Sequence, residues 1–165
     1  EDGIRDRSPS RGLGDVFKRQ AITSEAMTFA EAKAAAAAVG GYLTTVNTKA
    51  ENTFLTNEFY AAYGNSALWI GANDIETEGI WLWDNGTTSE DNGLTDNICG
   101  TSSNCNPSNA TWTDGTFKWC QRSLGCGGNE PNNAGNEDCA NITNSNGYWN
   151  DLRCSNNQYG IIEFD

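Results

Sequence analysis

The chain has 165 residues, enough for one domain with its own hydrophobic core and too few for two domains of ordinary size. A formal net charge of −12 disfavours nucleic acid as a partner, because phosphates attract Lys and Arg, and the 18 Gly and six Trp favour a loop-rich folded domain over a disordered chain. No apolar run approaches the roughly 20 residues that a membrane-spanning helix needs.

Residues 1–20 differ in composition from the rest, since they hold half of the ten basic residues of the chain. Residues 15–20 also resemble, in five of six positions, the translation of a common sequencing adapter. We therefore predict that 1–20 is a disordered or artefactual leader and that the domain occupies 21–165. An ordinary flexible basic arm is the alternative.

Two helices are predicted after this leader. A short strand at 21–23 precedes Thr28, which forms a capping box with Glu31 at the start of a helix. The alanine-rich run at 34–38 continues this helix, and Gly40 and Gly41 end it. A strand is predicted at 42–46, and apolar residues at helical spacing predict a second helix at 50–63.

The helical period disappears after Gly64, where short aromatic segments alternate with Gly, Asn and Asp. Strands are predicted at 68–71, 80–83, 138–142 and 159–164. Helices early and antiparallel strands late indicate an α+β domain. The polar stretch at 85–111 has no periodicity and is predicted to be an insert.

The six cysteines all lie in the last 67 residues, and the chain has no histidine. A zinc site is disfavoured, because it would need thiolates alone and the short CxxC spacing is absent. Disulfides are the better interpretation, and they indicate an extracellular location, either secreted or at the cell surface. Three N-glycosylation sequons begin at Asn85, Asn109 and Asn141 and are compatible with secretion.

Several short motifs resemble, in their order along the chain, those of the C-type lectin-like domain, and the resemblance covers about residues 27–163. The matching segments are Met27-Thr-Phe-Ala-Glu-Ala32, Gly40-Gly-Tyr-Leu43, Trp69-Ile-Gly71, Glu130-Pro-Asn132, and Trp149-Asn-Asp151 with Cys154. Each segment alone is weak evidence, whereas five in the right order are specific. The resemblance implies the C-type lectin-like fold, with two helices packed on small antiparallel sheets and a long irregular calcium-binding loop region.

The resemblance also implies a disulfide between Cys139 and Cys154, which would brace the strands that carry the metal ligands. The family's longer disulfide, from the first helix to the last strand, is replaced here by Ala36 and Ile162, which we interpret as apolar packing in place of a cross-link. The other four cysteines have equal spacing. We propose Cys99–Cys105 and Cys120–Cys126, with crossed pairing left open.

The resemblance further implies a calcium-dependent carbohydrate site. Its ligands would be Glu130, Asn132, Glu137, Asn150 and Asp151. Calcium takes six to eight oxygens, so these three carboxylates and two amides leave positions for two adjacent sugar hydroxyls. The Glu-Pro-Asn order is associated in this family with mannose, glucose, N-acetylglucosamine and fucose, and Pro131 is expected to follow a cis peptide. We expect Trp149 to be a core residue rather than a sugar platform.

A second calcium ion is implied at positions that match the family's auxiliary site. They are Asp74, Glu78, Asn133, Glu137 and Asp138. Asn133 stands where an aspartate is common, which should weaken this ion. Solvated turn residues are the alternative for Asp74 and Glu78.

The resemblance implies a non-enzymatic protein whose partner is a glycan or glycoprotein. Single shallow sites bind weakly, so we expect several copies through oligomerisation or a larger parent protein. The alternative is a calcium-shaped domain of the same fold that binds protein or ice without binding sugar. An enzyme is disfavoured, because Glu130 and Glu137 are better explained as metal ligands than as paired acids of a glycosidase.

Overall fold

The computed structural model describes residues 5–7, 18–84, 111–112, 114–116 and 118–164. The strands are β1 Arg5–Arg7, β2 Arg19–Ile22, β3 Tyr42–Leu43, β4 Leu68–Asn73, β5 Leu82–Trp83, β6 Cys139–Ile142, β7 Trp149–Leu152 and β8 Tyr159–Phe164. The helices are α1 Phe29–Ala38 and α2 Lys49–Leu55. The α+β class predicted from the sequence is confirmed.

Helix α1 begins as predicted, because the Thr28 side chain accepts a hydrogen bond from the Glu31 amide and the Glu31 side chain accepts one from the Thr28 amide. Gly40 adopts a φ of +78° just beyond the last turn, a conformation that glycine adopts at no steric cost. Helix α1 therefore ends where the paired glycines predicted.

The second helix is less regular than predicted. Helix α2 ends at Leu55, and the chain continues as a π-helical turn at Thr56–Tyr60 and a 3₁₀ turn at Ala61–Tyr63. The Thr56 hydroxyl donates to the Asn52 carbonyl at 2.7 Å. A side chain therefore bonds a main-chain carbonyl at the point where the α-helical hydrogen-bond pattern becomes π-helical. The helical span at 50–63 is thus correct in extent but not in regularity.

The strands form one mixed sheet whose main order is β1-β2-β8-β4-β6-β7. Strand β8 pairs antiparallel with β2 and β3 and parallel with β4, so it links the chain termini to the centre of the domain. Strand β6 lies between β4 and β7 and is antiparallel to both. The β6–β7 hairpin carries the Trp149-Asn150-Asp151 segment.

Part of the predicted leader is ordered in the structure. Arg19 and Gln20 belong to β2, where they pair with Phe164 and Glu163, and Arg5–Arg7 pairs with β2 in turn. Lys18 also lies 2.7 Å from the buried Glu163 carboxylate. Residues 5–7 and 18–20 therefore differ from the disordered leader predicted for 1–20, and the other leader residues lie outside the described part of the chain.

A tryptophan cluster forms the centre of the core. Trp149 is fully buried and meets Trp83, Trp112 and Trp119 edge to face, with ring centroids 5.6–6.0 Å apart. Its indole Nε1 donates to Asn52 at 2.9 Å, so this core ring is also oriented by a hydrogen bond. Trp149 is a core anchor, as predicted.

Two disulfides are present among the described residues, Cys120–Cys126 and Cys139–Cys154, and both agree with the predicted pairing. Ala36 and Ile162 are fully buried in one apolar cluster, which confirms apolar packing at the two positions where the family has a cross-link. Cys99 and Cys105, and the predicted insert from 85 to 110, lie outside the described residues.

Two sequence observations, one on glycosylation and one on membrane spans, can be checked against the structure. The Asn141 side chain is fully buried in β6, so the sequon there cannot carry a glycan in the folded domain, whereas Asn85 and Asn109 lie outside the described part. Among the helices that the structure describes, none has the length and hydropathy of a bilayer-spanning segment.

Candidate functional site

The predicted calcium ligands lie on two adjoining segments, a loop at 130–137 and strand β7. The peptide bond between Glu130 and Pro131 is cis, as predicted. Asn133 and Asn136 adopt left-handed φ values of 48° and 69°, which asparagine tolerates better than most residues. The asparagine-rich sequence therefore allows the tight loop that lies beside Asp151.

Asp151 holds the loop through its main chain. The Asp151 carboxylate accepts hydrogen bonds from the Asn132 amide at 2.9 and 3.1 Å and from the Asn133 amide at 2.7 Å. The Asn132 side-chain amide donates to Glu130, and the Glu137 carboxylate accepts from the Ala134 amide at 3.2 Å. Four of the five predicted ligands are thus brought to one loop.

Asn150 is the exception in this contact network. It is half-buried in β7 next to Asp151, and its side-chain amide donates to the Asp151 main-chain carbonyl at 2.5 Å. Its hydrogen bond therefore goes to the backbone rather than to a carboxylate of the group.

Negative charge is concentrated in the loop. Burial, followed by the proximity of Asp151 and Glu137, raises the pKa of Glu130 to about 7. Burial and Asp151 also raise the pKa of Glu137, against smaller lowerings by the Ala134 amide hydrogen bond and by Arg153. Carboxylates in this position resist ionisation unless a cation balances them, so the donor set fits a hard cation such as calcium.

The same contacts show that the group is not a preassembled metal cage. Within the described ranges, no three Asp, Glu or Cys side chains form a group that could hold a metal ion by themselves. Asp151 instead bonds two backbone amides, and Glu130 bonds the Asn132 amide. A cation would have to share these oxygens or replace the hydrogen bonds that they accept.

The residues predicted for a second ion are linked to the first set. Asn133 donates to Glu78 at 2.6 Å and accepts from the Glu137 amide at 2.7 Å, and the Asp74 amide donates to the Asp138 carbonyl at 3.1 Å. Asp74 is buried, and its Oδ1 has no hydrogen-bond partner in the part of the chain described. Burial and the charges of Glu78, Asp138 and Asp151 raise its pKa to about 6, which also fits a cation.

Two residues that shape the site were not singled out from the sequence. Arg153 donates from Nε to the Gly135 carbonyl at 3.1 Å and so ties the loop to the end of β7. Asn52 donates to the Gly147 carbonyl and accepts from Trp149, each at 2.9 Å, and so orients the strand that carries Asn150. Neither contact has a local sequence signal, because 18 and about 95 residues separate the partners.

Comparison with known proteins identifies the family. The family model described as "Lectin C-type domain" matches residues 25–163. The chain belongs to the C-type lectin family. This membership confirms the predicted family and places the domain among binding proteins rather than enzymes.

The C-type lectin domain has relatives of known name and known structure. Lectin BRA-3 of Megabalanus rosa is 31% identical over 121 residues, which cover 72% of this chain and 52% of BRA-3. The crystal structure of C-type lectin CEL-I from Cucumaria echinata has a TM-score of 0.65 at 18% identity, over 96% of this chain and 99% of CEL-I.

A calcium-independent type II antifreeze protein is also similar, with a TM-score of 0.57 at 18% identity over 96% of this chain and 94% of that one. The fold of this chain is thus shared by a lectin and by an antifreeze protein. The chain spans about half the length of BRA-3.

Proposed function

We propose that this domain binds a mannose- or glucose-type sugar through a calcium ion held by the 130–137 loop and β7. The ligands in this proposal are Glu130, Asn132, Glu137, Asn150 and Asp151. The observation that carries it is the concentration of carboxylates around Asp151, where burial and neighbouring charge raise the pKa of Glu130 to about 7. Bound calcium would supply the charge balance and the coordination positions for a sugar diol.

The chain's own residues would read the sugar. A carboxylate such as Glu130 accepts a hydroxyl proton, and an amide such as Asn132 donates to the oxygen of a hydroxyl group. The Glu130-Pro-Asn132 order decides on which side of the sugar diol the carboxylate acceptor and the amide donor lie. In the C-type lectin family this order goes with equatorial 3- and 4-hydroxyls. Mannose, glucose, N-acetylglucosamine and fucose are therefore the proposed ligands.

A second calcium ion is proposed at Asp74, Glu78, Asn133, Glu137 and Asp138. Its support is the buried Asp74 carboxylate, whose Oδ1 is unpartnered within the described residues, beside Glu78 and Asp138. Asn133 contributes no charge there, so this ion should bind more weakly than the first. The role of this ion would be to brace the 130–137 loop against the segment that carries Asp74 and Glu78.

The domain is proposed to be extracellular, since its two described disulfides persist only in an oxidising compartment. Its partner would be a glycan or glycoprotein, and useful affinity would come from several copies or from a longer parent chain.

The double change Glu130→Gln with Asn132→Asp tests the diol-reading part of the proposal. It exchanges acceptor and donor around the ion, so retention should move from immobilised mannose to immobilised galactose. The calcium affinity of the variant, measured by calorimetry, is the control, because both changed side chains still offer an oxygen. Undiminished mannose binding by the variant would refute the assignment of these two residues.

Acidification tests the calcium dependence. Ligand carboxylates must be ionised to hold calcium, and the raised pKa values of Glu130 and Glu137 bring their protonation closer to neutral pH. Calcium and sugar should therefore be released together as the pH falls to about 4–5. Sugar binding that persists unchanged at that pH would contradict the proposal.

A further inference from the structure

A polar cleft of about 290 Å³ lies away from the 130–137 loop, between helix α2, the β6–β7 turn and the segment around Trp112. In the β6–β7 hairpin, Cys139 pairs with Leu152 and Ile142 pairs with Trp149. The turn at 143–148 is therefore at the opposite end of the hairpin from Glu137. No part of the proposed calcium site lines this cleft.

The wall of the cleft is held in place by hydrogen bonds. The Asn144 side chain accepts from the amides of Asn146 at 3.0 Å and Tyr148 at 3.3 Å, which closes the turn. Asn52 then ties the turn to α2 through the Gly147 carbonyl. Gly147 has a φ of +77°, and a Cβ there would lie 2.5 Å from the Asn52 amide nitrogen, so the close approach requires glycine. The cleft is pre-formed.

Three polar side-chain groups at the cleft are unengaged. Thr53, Asn146 and Tyr148 line it, and neither the two hydroxyls nor the Asn146 side-chain amide hydrogen-bonds to another residue in the described ranges. Together they offer two hydroxyls, one amide donor group and one amide carbonyl. This donor and acceptor mixture matches the hydroxyls of a sugar, each of which both donates and accepts.

Charge and size narrow the ligand further. Lys49 lines the cleft and forms an ion pair with Asp114 at 2.5 Å, so the two charges balance. A charged ligand would have to break this ion pair to bind Lys49. Ligand pockets usually measure about 300–1,000 Å³, and a cleft of about 290 Å³, just below this range, holds one small ring. Tyr148, which is half-buried, and Trp112 also line the cleft and add aromatic side chains to its wall.

We infer that this cleft is a second saccharide subsite, independent of calcium, which takes one neutral pyranose unit of a glycan. It shares with the proposed function only the chemistry of the ligand. Thr53, Asn146 and Tyr148 contact the sugar hydroxyls, and Asn52 and Asn144 position them. A glycan chain recognised at either site gains affinity from several weak contacts on one molecule.

Amide NMR spectra recorded in EDTA test this inference on the intact chain. The probes are the methyl glycosides of mannose, glucose, galactose and N-acetylglucosamine. At least one probe should give saturable shifts of the Thr53, Gly147 and Tyr148 amides with a dissociation constant of about 1–10 mM, without shifts at 130–137. The absence of saturable shifts in these residues with every probe at about 100 mM would overturn the inference.

Two substitutions at the cleft and one elsewhere make the assignment specific. Tyr148→Phe and Asn146→Ala should each weaken probe binding in EDTA at least about threefold, since each removes a sugar-facing polar group. Asn157→Ala changes an exposed asparagine in another turn and should leave binding unchanged. Equal binding by the wild type and both cleft variants would refute the role of these side chains.

The Glu130→Gln and Asn132→Asp double variant separates this inference from the proposed function. It should lose calcium-dependent mannose retention while its probe binding in EDTA stays within about twofold of wild type. Loss of the EDTA-resistant binding in this variant would show that the cleft is not an independent site. Conversely, calcium-dependent binding that survives without any cleft binding would refute only the cleft.

Discussion

Asn52 connects helix α2 to the strand that carries two predicted calcium ligands, and its replacement by leucine should be strongly destabilising. The side chain is 4% exposed and satisfies both the Trp149 indole Nε1 and the Gly147 carbonyl at 2.9 Å. Leucine keeps the side-chain volume and provides neither bond. Each buried polar group left without a partner costs about 1–3 kcal/mol, so the expected loss is about 2–6 kcal/mol.

Urea unfolding in EDTA with the disulfides intact measures this loss without a contribution from bound metal. A loss of about 3 kcal/mol corresponds to a decrease in Tm of about 6–12 °C for a domain of this size. Thr53→Leu is the matched control, because Thr53 is the next residue of the same helix, is exposed and makes no side-chain hydrogen bond with the described residues. Asn52→Leu within about 0.5 kcal/mol of this control would refute the reasoning.

Three further results are expected. Burial raises the pKa of Glu51 from 4.5 to about 7, so the folded state favours the neutral acid and the free energy of unfolding falls as the pH rises between these values. Glu51→Gln should flatten this pH dependence in urea unfolding. An unchanged pH dependence in the variant would contradict the role of Glu51. Lys18→Met removes the ammonium that lies 2.7 Å from the buried Glu163 carboxylate and should cost about 1–2 kcal/mol in urea unfolding, and wild-type stability would contradict this. Asp151→Asn should weaken calcium binding at least about tenfold in calorimetry, and wild-type affinity would exclude Asp151 as a ligand.

Local signals predicted the helical elements well. The Thr28 capping box and the glycine pair at 40–41 depend on neighbouring residues only, and both ends of α1 were correct. The strand predicted at 42–46 shortens to Tyr42–Leu43, and beyond it the Thr45 amide donates to the side chain of Glu163, from the other end of the chain. Such a partner cannot be read from the local pattern.

The candidate site likewise combines features that the sequence predicts with features that depend on contacts between distant segments. The resemblance to C-type lectins named residues that the structure does bring to one loop around Asp151. Burial, the raised pKa of Asp74 and the tie between Arg153 and Gly135 depend on packing between distant segments, and no spacing rule predicts them. The pairing of Arg19 and Gln20 with β8 also depends on the other end of the chain, so the composition of 1–20 gives no sign of it.

A glycan array probed with the same protein in calcium and then in EDTA tests the central claim most directly. The account predicts binding to glycans with terminal mannose, glucose, N-acetylglucosamine or fucose in calcium, and loss of this signal in EDTA. The Asp151→Asn variant should give no such signal in either buffer. An array that stays silent while calorimetry shows bound calcium, or a mannose-type signal of unchanged strength in EDTA, would contradict the calcium-dependent lectin.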